Sequence, residues 1–578
     1  MIRIENLSVA FDGGEVVKNV NLELKDGEIL GVVGESGSGK SVTALTLMGL
    51  VSEEAGITSG RILFDDVTLL ETGKPRDKAL YRKYQGEQMS MIFQEPMTSL
   101  NPTQRVGNQV DEVLQLHTKL DPKERKEKVL QTFRAVGLKE EEKVYLSYPH
   151  QLSGGMRQRV MIAMAVILHP RLLVADEPTT ALDVTIQNQI IALLREINQK
   201  QNNAMLFITH DLNLARRLCR RIVVMKDGCV VEQGETEDIF EHPVQEYTRR
   251  LIQAVPTRMK KHQEVTVLQE ESTVSKELEQ SNRAGQSGGT ELTDGTGQTD
   301  GTGQINRTGQ TGGAIHDTAS APKEDKAAVF TPVVQVKDLS VFYQNGSNSL
   351  FARKRHHCVV KGADFSLFPG ESLGLVGESG CGKTSLSKAI LGMNRDIEGQ
   401  VIHNTIRPQM IFQDPYSSLN PSKTIGWQLQ EPLRARGVLD KSLAMTKADM
   451  EAAAYDMLCR VGMEEKYFHR KPSQLSGGQR QRVSIAQALI THPSFIVADE
   501  PVSALDVTIQ AQIMELMQKL KQEMKLSYLF ISHDINVVYQ MCERIMVMKE
   551  GRIIEIGETE EIFQNPKEEY TKQLLLSS

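Results

Sequence analysis

Two short runs carry the residues best suited to chemistry: GESGSGKS at 34–41 and GESGCGKT at 377–384. Each fits the spacing GxxxxGK[ST], follows an apolar, strand-like stretch (EILGVV, ESLGLV) and leads into a helical pattern, the context of a loop that closes around a phosphate chain. Gly34, Gly37 and Gly39, with Ser36 and Ser38 between them, would let backbone N–H groups surround the phosphates. Lys40 would reach the β- and γ-oxygens, and Ser41 would offer its hydroxyl to Mg2+. Gly377, Ser379, Gly380, Cys381, Gly382, Lys383 and Thr384 repeat the set, with Cys381 read as a small tolerated side chain rather than a redox centre. Further along, LLVAD and FIVAD end in Asp176 and Asp499, the expected Mg2+ ligands. Glu177 and Glu500 follow directly, placed to polarise an attacking water, a role typically worth ~10²–10⁴ in rate. Because side chains alternate along a strand, adjacent acids face different surroundings and can do different work. LFITHD and LFISHD place His210 and His533 after another apolar strand, where each is read as a contact to a terminal phosphate.

These groups have to meet at one edge. Short, wholly apolar runs ending in acids read as buried parallel strands, and open α/β sheets bind ligands at the carboxyl ends of such strands. The expected fold class is therefore α/β, with two P-loop NTPase domains. At 578 residues the chain is too long for one core, and its 40% hydrophobic and 24% charged residues are ordinary for globular protein. A net charge of -7 gives no electrostatic reason to expect nucleic acid. The N-terminus lacks a secretion signal and no run reaches ~18 apolar residues, so the chain is expected in the cytoplasm. Its six cysteines have no CxxC spacing and are read as reduced packing residues.

The chain is a duplication. QLSGGMRQRV at 151–160 returns as QLSGGQRQRV at 474–483, and the offset that takes Ser153 to Ser476 also takes LLVADEP to FIVADEP and FITHD to FISHD. Gly34 matches Gly377 at an offset of 343 while Gln94 matches Gln413 at 319, so the second copy is 24 residues shorter between those points. That difference falls in RILFDDVTLLETGKPRDKALYRKYQGEQ, read as a surface excursion of the first copy. The expected domains are 1–256 and 333–578, joined by a Gly/Thr/Gln-rich linker over 257–332 that has too few large apolar groups to fold. About 60 such residues would span roughly 40–45 Å.

The ordered set of phosphate loop, Gln94 or Gln413, LSGG motif, apolar strand with DE, ALD loop (Asp183, Asp506) and histidine resembles the nucleotide-binding domains of ABC ATPases. The resemblance covers nearly everything outside the linker. It implies in each domain a RecA-like core, an antiparallel β subdomain and a helical signature subdomain, and it implies that the two domains pair head to tail around ATP and Mg2+. One site would then join Lys40, Ser41, Gln94, Asp176, Glu177 and His210 to Ser476, Gly477, Gly478 and Gln479. The other would join Lys383, Thr384, Gln413, Asp499, Glu500 and His533 to Ser153, Gly154 and Gly155. By the same resemblance Gln94 and Gln413 reach both the metal and the reacting water, and Phe11 and Tyr343 stack on adenine. Two positions depart from the pattern: Met156 replaces the glutamine of LSGGQ, and Gln487 stands where arginine is usual.

FQ(E/D)P followed by SLNP, with the late segments HPVQEYT and NPKEEYT, is similar to the ATPase pair of oligopeptide, dipeptide and nickel importers, here fused as in glutathione importers. The similarity implies a peripheral position at the cytoplasmic face of the membrane, two permease subunits and an extracytoplasmic solute-binding protein as partners, and import of peptides, glutathione-like peptides or nickel and metal–chelator complexes. RMKKHQEVTVLQEESTVSKELEQ lacks the cysteine cluster of some relatives, so no iron–sulfur centre is expected. The competing expectation is a soluble tandem ABC ATPase acting on ribosomes or nucleic acid, and it is disfavoured by the acidic balance.

Overall fold

The structure is a computed structural model that describes residues 2–12, 14–180, 182–255, 331–345, 355–405, 408–503 and 505–577. The expected linker over 257–332 lies outside the described residues apart from Thr331 and Pro332.

Each half holds a six-stranded sheet. In the first the order is Cys229–Glu235, Arg221–Lys226, Ile29–Val33, Ala204–Thr209, Leu172–Asp176 and Met89–Ile92. In the second it is Arg552–Glu558, Arg544–Lys549, Ser372–Val376, Ser527–Ile531, Phe495–Asp499 and Gln409–Ile411. All strands run parallel except the outermost hairpin strand of each sheet. Ile29–Val33, Leu172–Asp176 and Ala204–Thr209 are buried at every position, because both faces of the sheet are covered. The pleat sends Leu173 and Ala175 into the core shared with the helices, and Leu172 and Val174 into the core beneath a second sheet. Register sets the functional edge: Asp176 lies opposite Ile208 and Val33 opposite Thr209. The phosphate loop, the acid pair and the histidine therefore leave the sheet side by side.

Helices Val106–His117 and Pro122–Ala135 pack with the signature helix Gly154–Val166. Pro122–Ala135 begins on Asp121, whose Oδ1 accepts the amides of Lys123 and Glu124 while Glu124 returns a carboxylate to the Asp121 amide. Val129, Leu130 and Phe133 then form its buried face. Ile425–Leu439, Lys447–Arg460 and Gly477–Leu489 are the counterparts in the second half. The halves are not separate bodies, since Val507 of the second enters the hydrophobic core of the first.

One expectation fails. The 24 extra residues of the first half are not a surface excursion. Among the described residues the antiparallel sheet has four strands there, Gly14–Leu24, Ile2–Phe11, Gly56–Phe64 and Val67–Glu71, against three in the second half, Arg355–Leu367, Val334–Asn345 and Ile397–His403. Val67–Glu71 buries Leu69 and Leu70. Helix Lys78–Tyr84, capped by Asp77 at the amides of Ala79 (2.9 Å) and Leu80 (3.0 Å), buries Tyr81 at 2% exposure. The many charged residues of the segment hid these few apolar anchors.

Tyr81 packs over Gly49, which ends the helix after the phosphate loop. Gly49 has φ +70°, and a Cβ there would sit 2.4 Å from the Tyr81 ring. Its counterpart Gly392 has φ +69°, and among the described residues nothing lies within 4 Å of a Cβ there. Gly392→Ala is expected to cost only the left-handed backbone penalty, about 1–2 kcal/mol. Gly49→Ala should add the cost of displacing a packed ring, for about 2–4 kcal/mol in total. Thermal melting of the two full-length variants compares them directly, and equal losses would contradict the packing of the extra segment.

Candidate functional site

The chain between Val33 and Lys40 must turn sharply from strand to helix. Gly34 has φ +152° and a Cβ there would lie 2.2 Å from the Met225 carbonyl; Gly377, at φ +157°, stands in the same relation to Met548. Lys40 and Lys383 are buried at the first position of their helices. Lys40 Nζ donates to the carbonyls of Gly34 and Glu35, both at 2.8 Å, and Lys383 Nζ to those of Gly377 (2.7 Å) and Glu378 (3.0 Å). Burial lowers the Lys40 pKa, against the charges of Glu177, Asp506 and Asp176, which favour the ammonium.

Ser41 Oγ donates to Asp176 Oδ1 at 3.0 Å, and Thr384 Oγ1 lies 3.5 Å from Asp499 Oδ1. Hydroxyl and carboxylate thus meet at the foot of each loop, a donor set of hard oxygens that fits Mg2+. Burial pushes Asp176 up to about 6, with the Ser41 hydrogen bond opposing it, and Asp499 is raised for the same reason.

Glu177 and Glu500 leave the strand in left-handed conformation, at φ +45° and +48°, with their amides donating to Ile208 O and Ile531 O at 2.9 Å. This turn, rather than strand alternation alone, separates each glutamate from the aspartate before it. Glu177 Oε2 gathers Gln94 Nε2 (2.9 Å), Thr180 Oγ1 (2.9 Å) and His210 Nδ1 (3.2 Å). Glu500 Oε2 receives Gln413 Nε2 (2.8 Å) and His533 Nδ1 (3.2 Å). Burial resists the charge on Glu177, yet the hydrogen bond and charge of His210 outweigh it and hold the carboxyl at about 2. Burial likewise disfavours the His210 imidazolium, but Glu177 prevails and its pKa is raised; His533 and Glu500 follow the same pattern. Both histidines, expected at a phosphate, are thus engaged with the neighbouring glutamate.

The signature residues stand at helix starts. Ser153 Oγ accepts the Met156 amide and Ser476 Oγ the Gln479 amide, each at 3.3 Å. Gln479 returns Oε1 to the Ser476 amide at 3.0 Å and donates Nε2 to Tyr467. Met156 can make neither bond and packs on the hydrophobic core instead, so the first signature turn has half the capping of the second. Gly154 and Gly477 open these helices, with Gly155 against Ile186 and Gly478 against Ile509. Phe11 is partly buried against the core under the antiparallel sheet, whereas Tyr343 is 41% exposed.

The halves meet at the first phosphate loop. The Ser36 amide donates to Asp506 Oδ1 at 2.9 Å, and Thr508 Oγ1 bonds the Glu35 carboxylate. Asp183, the counterpart of Asp506, instead caps its own helix at the Ile186 amide (2.9 Å). Sequence reasoning left Glu35, Thr180, Thr508, Tyr247 and Tyr570 without roles. The recurrence of GESG and EYT in both copies was the available signal, but the contacts of Tyr247 and Tyr570 with the loops span 212 and 192 residues.

The sequence matches the ABC transporter family over residues 17–180 and 360–503, and the family described as oligopeptide/dipeptide transporter, C-terminal region, over 231–285 and 554–578. It is 38% identical over 599 residues to the glutathione import ATP-binding protein of Salmonella choleraesuis (strain SC-B67), covering 100% of this chain and 89% of that protein. The protein of the same name from Pectobacterium atrosepticum is 39% identical over 597 residues, and that of Escherichia coli (strain K12) 38% over 602, with the same coverage. These matches lend no support to a ribosome- or nucleic-acid-directed ATPase. Matched along its whole length, and with two phosphate loops each joined to an acid pair and a histidine, the chain belongs to the ABC transporter ATPases of the oligopeptide/dipeptide type and is an ATP-binding, ATP-hydrolysing subunit.

Proposed function

We propose that this chain energises import of a small peptide, a glutathione-like peptide, or a nickel or metal–chelator complex, through two permease subunits fed by a solute-binding protein. The observation that carries the reading is the presence, in both halves, of a complete ATPase constellation followed by the transporter-type C-terminal segment. No described helix is long and apolar enough to cross a membrane, which fits a peripheral subunit at the cytoplasmic face. Phe93 and Phe412, 38% and 41% exposed beside Gln94 and Gln413, offer apolar contact for permease segments. The same proposal takes 1–256 and 333–578 as the two domains, 257–332 as the linker, and Phe11 and Tyr343 as adenine contacts.

In each site the loop amides and Lys40 or Lys383 hold the phosphate chain of ATP, while Ser41 with Asp176, or Thr384 with Asp499, hold Mg2+, assisted by Gln94 or Gln413. Bound Mg2+ supplies neutralisation of the β- and γ-oxygens. A carboxylate held near 2 by hydrogen bonds is a weak base. Glu177 therefore gains basicity when Gln94 and His210 turn from its Oε2 towards the nucleotide, and it can then take a proton from the attacking water. Glu500 does the same with Gln413 and His533. Asp183 and Asp506, with the two LSGG turns, complete the opposite sites.

Replacing Glu177 and Glu500 together by Gln removes the water-activating groups and spares the loops. Nucleotide binding should persist while steady-state ATP turnover falls at least ~10²-fold, and turnover at the wild-type rate would overturn the assignment.

The metal site should also cost stability when no metal is present. Asp176 has its folded pKa, about 6, above the ordinary carboxyl value. Below pH ~4 both states hold the proton and the group is neutral in its effect; between pH ~4 and ~6 only the unfolded chain ionises, so stability falls as pH rises; above that the full cost is in place. Asp176→Asn should therefore stabilise the nucleotide- and metal-free chain by about 1–3 kcal/mol at pH 7–8, with the gain gone near pH 4, while hydrolysis is lost. Melting across this range checks it, and a destabilised Asn variant at neutral pH would contradict the burial cost.

A further inference from the structure

The late EYT segments reach back to the phosphate loops. Tyr247 lies on helix Glu246–Ala254, and its hydroxyl accepts the Glu35 amide at 3.4 Å; Tyr570 lies on helix Glu569–Ser577, and its hydroxyl accepts the Glu378 amide at 3.1 Å. The same arrangement in two copies of diverged sequence argues against accident.

Each tyrosine is presented rigidly. Glu232, on the hairpin strand Cys229–Glu235, accepts the amides of Val244 (2.8 Å) and Gln245 (3.1 Å) just before the helix. Glu555 accepts those of Lys567 (2.8 Å) and Glu568 (3.2 Å) and the Thr571 hydroxyl. The rings are backed by Lys226 and Lys549, whose Nζ atoms stand 4.9 and 4.8 Å from the ring centroids. The phenols stay protonated: burial pushes both up to about 12.

At the loop, the peptide groups Gly34–Glu35 and Gly377–Glu378 are gripped from two sides. Their N–H groups meet the tyrosines and their carbonyls, Gly34 O and Gly377 O, meet Lys40 and Lys383, the lysines that would reach the nucleotide. In the first half the Glu35 side chain also bonds Thr508 across the interface, and the next amide bonds Asp506. Fixing this peptide fixes both the direction of the lysine and the edge of the loop that faces the other half.

We propose that Tyr247 and Tyr570 are positioning residues that hold the entry of each phosphate loop ready for nucleotide, making the C-terminal segment of each half part of its ATP site. The inference rests on the ATP-site reading above. Without the hydroxyl, the loop must be ordered at the moment of binding, which weakens binding without changing the reacting groups.

The test is the full-length Tyr247→Phe, Tyr570→Phe double variant, with Lys40→Ala, Lys383→Ala as reference, measured by ATP binding and steady-state hydrolysis. One neutral hydrogen bond per site predicts a rise of about 3–10-fold in KM for ATP, with kcat within about twofold of wild type. KM does not depend on the fraction of chain that is folded, so a merely structural role would lower kcat and the melting midpoint and leave KM in place. An unchanged KM, whatever happens to kcat or melting, overturns the proposal. If the lysine variant still binds ATP as wild type does, the ATP-site reading itself falls; if it loses binding while the Phe variant keeps its KM, only the role of the tyrosines falls.

Discussion

Each half is organised around an ammonium group folded into a loop of its own backbone. Lys40 and Lys383 are almost fully buried, each with its Nζ on two carbonyls of its loop, and around Lys40 the Ser38 hydroxyl and carboxylates at the sheet edge also offset desolvation. A buried cation is tolerated only with such partners. The loop must therefore follow a strand whose neighbours end in acids, which requires the parallel order seen here. In the first half one of the compensating carboxylates, Asp506, comes from the second half. The charge balance around Lys40 thus already crosses the duplication.

The copies have diverged around that shared core. Asp506 gives its carboxylate to the Ser36 amide, while Asp183 spends its own on capping a helix. Gln479 closes a reciprocal cap that Met156 cannot. Tyr81 braces the helix behind the first phosphate loop, whereas in the second half no described residue packs over Gly392. All three differences lie outside the GxxxxGK[ST] loops and the acid pairs, which the two halves share.

Much of this was legible in the sequence because it is local. GxxxxGK[ST] after an apolar strand, LLVAD and FIVAD, and the serine before GG each specify a conformation within about ten residues, and the structure places a loop, buried strands and helix caps there. What stayed hidden is long-range or diluted. The bond from Tyr247 to Glu35 joins residues that share no sequence period, and the Asp506–Ser36 contact depends on how the halves face each other. The buried face of Val67–Tyr84 rests on three apolar side chains among many charges. Pairing of the histidines with the glutamates was hidden for another reason: a histidine after a strand is compatible with several partners, and only geometry chooses.

The first phosphate loop is faced by the second half of the chain, through the Ser36 amide on Asp506 and Glu35 on Thr508. On a Cys459→Ser background, which removes the exposed native thiol, Glu35→Cys can be paired with Thr508→Cys from the second half or with Thr185→Cys from its own half. Treatment with a short bismaleimide and peptide mass analysis reads which pair is joined. An intramolecular link between positions 35 and 508 is expected, and none between 35 and 185; a link only within the first half would show that the loop is not faced by the second half.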